Sequence, residues 1–111
     1  MDGGSPRRLA ENESIYRQLN ERIEAGHELT LPNEEVAFLC ECGQLGCNAV
    51  LGLSLREYEE IRDNPRWFGL APGHEMPELE RVVIERSGYI VVEKMGVAGA
   101  IAEATDPRDE D

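Results

Sequence analysis

VAFLCECGQLGCNAVLGL, residues 36–53, decides how this chain is read. Val36 to Cys40 and Ala49 to Leu53 are short runs rich in apolar residues, each with the length and composition of a strand. The loop between them holds all three cysteines of the chain, in the order Cys-x-Cys-x4-Cys. A cysteine loop carried by two short strands has the form of a zinc knuckle, and Gly43 and Gly46 allow it to turn tightly enough for backbone amides to face thiolate sulfur.

Three thiols need a fourth ligand to close a tetrahedron. The next soft donor is His74, in the turn-forming triplet Pro72-Gly73-His74, and Cys40, Cys42, Cys47 and His74 together make a Cys3His set of the kind zinc accepts as a closed structural site. His27, which follows Gly26 at a helix end with no turn to aim it, is the second choice for that fourth position. A disulfide scaffold explains the cysteines poorly, because their number is odd and Cys40 and Cys42 are too close for an unstrained bridge. Three buried free thiols would account for the residues singly but not for their glycine-flanked clustering. An iron–sulfur cluster also admits Cys3His ligation, yet its usual spacings are absent.

Outward from the knuckle, Ser5 followed by Pro6 and a stop at Gly26 bracket a helix within residues 6–25. Ile15, Leu19 and Ile23 recur every four residues with Tyr16 alongside, and Glu13 and Arg17 are spaced for a helical ion pair. The stripe is read as packing on the protein's own sheet, with a docking or dimerisation face as the alternative. Ser54 and Glu57 form a capping box, so Leu55 to about Asp63 is expected to be helical with Leu55, Tyr58 and Ile61 inward, and Asn64-Pro65 ends it. Trp67 to Ala71 reads as extended, with Phe68 buried and Trp67 the more exposed.

Arg81 to Arg86 and Tyr89 to Met95, separated only by Ser87-Gly88, form a two-residue β-hairpin that sets Ile84 opposite Val91 and Val83 opposite Val92. Gly96 to Thr105 is a short final helix. The fold class is therefore α+β: one small domain over residues 1–111 with an ordered core about 6–105, an N-terminal helix, a cysteine loop between strands, a central helix and a C-terminal hairpin. Residues 1–5 and the acidic tail 106–111 lack apolar anchors and are expected to be flexible.

The composition bounds function by exclusion. Acidic residues number 23 against 11 basic ones, a formal charge of −12, and such a field repels phosphate backbones and anionic membranes. Nucleic acid and membrane are excluded as partners. A basic or amphipathic protein surface would be attracted, although acidic charge more often serves only to keep a soluble protein dispersed, and charge alone identifies no partner. MDGGSPRRLA contains no apolar signal core and no stretch approaches the ~18 apolar residues of a membrane span, so a cytoplasmic location is expected. No nucleophile elbow, phosphate-cradling loop or His-Glu-x2-His motif is present. Glu41 and Glu75 flank ligands, but three thiolates weaken zinc as a Lewis acid, which makes a hydrolase the least favoured reading.

At these residues the chain resembles a family of short bacterial proteins, mostly actinobacterial, with no assigned activity. The resemblance spans residues 11 to 108 and is carried by ENESIYRQLNERIE, FLCECG with Cys47 behind it, LSLREYEEIRDNPRWF, APGHE and YIVVEK. Together these are specific, and singly they are weak. The resemblance implies a cysteine-cluster protein with His74 in a Pro-Gly-His turn, and neither a substrate nor a partner. GQLG between Cys42 and Cys47 departs from the acidic loop of the family and leaves the ligands untouched.

The expectation that follows is a zinc-stabilised, cytosolic, non-enzymatic module that binds another protein, as a monomer or as a dimer through the N-terminal helix. The alternative is a redox- or metal-responsive regulator, anti-sigma-like, in which oxidation of the thiolates ejects zinc. The His-x3-Cys-x2-Cys helix of zinc anti-sigma proteins is absent.

Overall fold

The computed structural model describes residues 6–44 and 46–108. Its elements are α1 (Pro6–Ala25), β1 (Glu35–Leu39), β2 (Val50–Ser54), α2 (Leu55–Arg62), β3 (Trp67–Leu70), β4 (Glu80–Arg86), β5 (Tyr89–Lys94) and α3 (Gly96–Ala104). The architecture is mixed α+β in one small domain, as the sequence implies. The capping serine expected at position 5 lies outside the described residues.

β1 and β2 form an antiparallel two-stranded sheet in which Val36 faces Leu53 and Phe38 faces Leu51. Both strands alternate exposed and buried residues, so one face of the ribbon is apolar, which is the period-2 signature of a half-buried sheet. The second sheet has the order β3-β5-β4, all antiparallel. Its central strand β5 is buried along Tyr89, Ile90, Val91 and Val92, which join one core cluster with residues of the first sheet, α2 and α3. The cores of the two sheets merge through Leu51, Leu53, Ile61, Phe68 and Leu70, and Phe38 stacks on Tyr58 with ring centroids 4.5 Å apart.

α2 begins as the sequence predicts. The Glu57 amide donates to Ser54 Oγ at 3.0 Å and the Ser54 amide donates to Glu57 Oε1 at 2.9 Å, a complete capping box. Tyr58, Ile61 and Arg62 are its buried residues, while Leu55 is only partly covered. Phe68 is buried and Trp67 half-buried, in the expected order.

Four expectations are corrected. First, the α1 stripe is not the inward face: Ile15 is 54% and Leu19 37% exposed, and of its three aliphatic residues only Ile23, partly buried, packs against the core. The inward face is Leu9, Ala10, Glu13, Ser14, Arg17 and Asn20, mostly polar. Second, Glu13 and Arg17 do not pair with each other. Glu13 meets Lys94, which also meets Glu80, whereas Arg17 donates to the carbonyl oxygens of Pro65 and Ala102, each at 2.7 Å. A helical i,i+4 pair is worth only a few tenths of a kcal/mol, and burial against distant partners outweighs it.

Third, the hairpin register contains a bulge. Ile84 faces Val91 as expected, but Val92 is opposite Val82, and Val83 is the extra residue. A bulge is a device of edge strands, where β4 lies. Fourth, the start of the acidic tail is docked. Arg62 pairs with Asp106, and Arg108 reaches Glu21 at 2.9 Å, Glu59 at 2.7 Å and Glu24 at 3.0 Å. Three carboxylates from α1 and α2 converge there, and an arginine fork answers them. Residues 1–5 and 109–111 lie outside the described residues.

Candidate metal centre

The ends of β1 and β2, the loop between them and the turn after β3 meet at one corner of the fold. Pairing continues one step past the strands, with the Cys40 amide donating to the Ala49 carbonyl at 3.0 Å. The Glu41 amide then donates to the Gly69 carbonyl at 2.9 Å, which ties the knuckle to β3. After β3 the chain turns at Gly73, whose φ of +88° suits glycine, and the His74 amide closes the turn on the Ala71 carbonyl at 3.1 Å. A left-handed φ at this position is what a residue without Cβ supplies without strain.

These connections bring the Sγ atoms of Cys40, Cys42 and Cys47 and a ring nitrogen of His74 within 4.8 Å of one another. His74 Nδ1 lies 3.6 Å from the sulfurs of both Cys40 and Cys47. Bonds of ~2.3 Å to sulfur and ~2.0–2.1 Å to nitrogen at tetrahedral angles put S and N about 3.5–3.6 Å apart. The donor set and its spacing therefore fit a metal ion such as zinc. All three cysteines are free of disulfides.

The four residues expected from the sequence are thus brought together. His27 is not among them: it is exposed at the end of α1, its Nδ1 2.8 Å from the Ile23 carbonyl. Glu41 is buried with its carboxylate turned inward, accepting from Asn20 Nδ2 at 2.8 Å and the Gly69 amide at 3.0 Å. Burial raises its pKa above the usual carboxylate range. Glu75 Oε1 is buried without a hydrogen-bond partner among the described residues.

The surroundings are polarised toward the sulfurs. The Ala71 amide donates to Cys40 Sγ at 3.2 Å. The neighbouring Cys42 thiol holds the Cys40 pKa down, while the same contact, followed by burial, pushes Cys42 up to about 12. Cys40 and Cys42 are buried, and Cys47 and His74 are half-buried at a surface groove with Gln44, Gly46, Asn48 and Ala49. One side of the cluster is sealed and the other reaches solvent.

Gly43 and Gly46 take φ of +76° and +83°, the conformations expected of them. Gly43 has a second reason to lack a side chain, because a Cβ there would stand 2.6 Å from Glu13 Cγ and 2.9 Å from the Leu9 carbonyl. Asn12 Nδ2 donates to the Gly43 carbonyl at 3.1 Å and fixes the loop to α1. Asn20 pins the other end, exchanging hydrogen bonds with Leu39 at 3.0 and 2.8 Å. The sequence reading missed these supports and the Ala71 amide. Asparagines one turn either side of Tyr16 were their only signal, and a backbone amide has none.

No protein-family model, curated protein or solved structure matches this chain.

Proposed function

We propose that Cys40, Cys42, Cys47 and His74 hold one zinc ion as a closed structural site, and that the domain it braces is a non-enzymatic module binding another protein. The observation that carries the reading is the convergence of all four donor atoms at the corner where both sheets meet. Bound there, zinc supplies cross-linking: it joins the knuckle to the turn after β3, and in a small domain such binding energy is largely folding energy. Three thiolates with an imidazole leave the ion with a charge of about −1 and little Lewis acidity. The inward orientation of Glu41 removes one candidate base.

Metal analysis together with cobalt substitution tests this. A four-ligand tetrahedral cobalt spectrum, unchanged by added anions, supports the closed site; an anion-sensitive spectrum supports the hydrolase reading instead.

The half-buried Cys47 and His74 favour a second reading, in which peroxide oxidises two thiolates to a disulfide and expels zinc. Zinc release at mild peroxide, measured with a metal-sensitive dye, supports that switch, and resistance supports a purely structural ion.

A further inference from the structure

The face of α1 turned from the core carries Arg8, Glu11, Ile15, Gln18, Leu19 and Arg22, all exposed and spaced three or four residues apart. That spacing is the seam of a two-helix contact. Ile15, Tyr16 and Leu19 form one wall of a groove, and Gly43 and Gln44 of the cysteine loop form the other. At the end of the seam stands Arg22, with no ion-pair partner among the described residues, although the chain carries a charge of −12.

We propose that this face is an isologous contact with a second copy of the chain, the two α1 helices running antiparallel. The order acid, apolar, apolar, base along Glu11, Ile15, Leu19 and Arg22 is complementary to itself when reversed. About a twofold axis near Tyr16, Ile15 meets the second copy's Leu19, and Glu11 meets its Arg22, each contact occurring twice. A parallel pair would set Arg22 on Arg22 and Glu11 on Glu11, so the charges select the antiparallel arrangement. The overall charge opposes association, but at about 0.15 M salt the Debye length is about 8 Å, which screens the two net fields while sparing ion pairs in contact. Gly43 and Gln44 of the cysteine loop form one wall of the groove, so the contact also depends on an intact metal corner.

The inference deepens the binding-module reading and rests on its treatment of the domain as a contact surface; zinc content measured on the same samples separates failure of one from failure of the other. The test is sedimentation velocity on the zinc-loaded full chain at physiological salt. Wild type is expected at twice the 12.4 kDa chain mass, and Leu19→Asp at the chain mass with zinc retained. Glu11→Arg and Arg22→Glu should each weaken the dimer about tenfold or more, since each places like charges together at two symmetric sites. The double variant should restore the dimer, a rescue that a merely folding-related effect would not produce. A wild-type chain that stays monomeric at several hundred micromolar overturns the proposal, as does a dimer indifferent to both charge reversals. A monomer that captures a basic amphipathic helical peptide in the groove also overturns it, and assigns the face to another protein.

Discussion

The guanidinium carbon of Arg17 lies 4.5 Å from the centroid of the Phe68 ring, in the core of the domain. Arg17 is 0% exposed, and its fork is spent on the Pro65 and Ala102 carbonyls. One side chain of α1 thus holds the loop before β3, a β3 ring and the end of α3. Arg17→Ala leaves two carbonyl groups without their donor and removes one of the two arginines, with Arg62, whose charge favours the buried Glu41 carboxylate, and should cost about 3 kcal/mol or more. Arg17→Lys should recover only part of it, since an ammonium lacks the planar fork. Urea unfolding midpoints check both.

Glu13, Glu80 and Lys94 form a buried group with two carboxyls and one ammonium, and burial pushes Glu13 up to about 7. Lys94 pulls that value down, and Glu80 and Glu41 push it up. The folded state therefore keeps a proton that the unfolded chain loses near pH 4.5. The stability tied to that proton is fully present below 4.5 and is lost as pH rises through 7. Glu13→Gln should flatten the fall between pH 5 and 8 by about 1–3 kcal/mol relative to wild type. Parallel denaturation series on the two proteins, each with metal held constant, read the difference; identical slopes would exclude Glu13 as the group responsible.

Gly43 and Gly73 both have positive φ, but only Gly43 is also crowded. Gly73→Ala meets nothing within 4 Å and should cost about 1–2 kcal/mol from backbone strain alone. Gly43→Ala must in addition displace α1 from the cysteine loop. It should cost more and weaken metal binding, which Gly73→Ala should do less. Competition against a zinc chelator, beside thermal melts, ranks the two.

Much of this was legible in the residues themselves. The glycine-flanked cysteines, Ser54 with Glu57 and Ser87-Gly88 carry local signals, and the knuckle, the capped helix and the hairpin follow from them. The inward face of α1 was not legible. Its periodicity put Ile15 and Leu19 inside, whereas Glu13, Arg17 and Asn20 are buried because their partners, Lys94, Ala102, Pro65 and Glu41, arrive from up to 85 residues away. The helix period shows which residues share a face, not which face turns inward when buried charges are paired. The Val83 bulge and the docking of Arg108 likewise depend on what the rest of the fold presents. At the metal corner the four donors could be read, because thiol and imidazole are rare and clustered; the amides that face them could not.

The central claim is that His74, and not His27, completes the cluster with Cys40, Cys42 and Cys47. The most direct measurement is the zinc content of the purified chain by native mass spectrometry, paired with the melting temperature, for wild type, Cys42→Ser, His74→Ala and His27→Ala. Wild type and His27→Ala should each carry about one zinc per chain and melt together. Cys42→Ser and His74→Ala should lose the ion and much of the stability, as should wild type after chelation. Full zinc and an unchanged melting temperature in His74→Ala would contradict the four-ligand site.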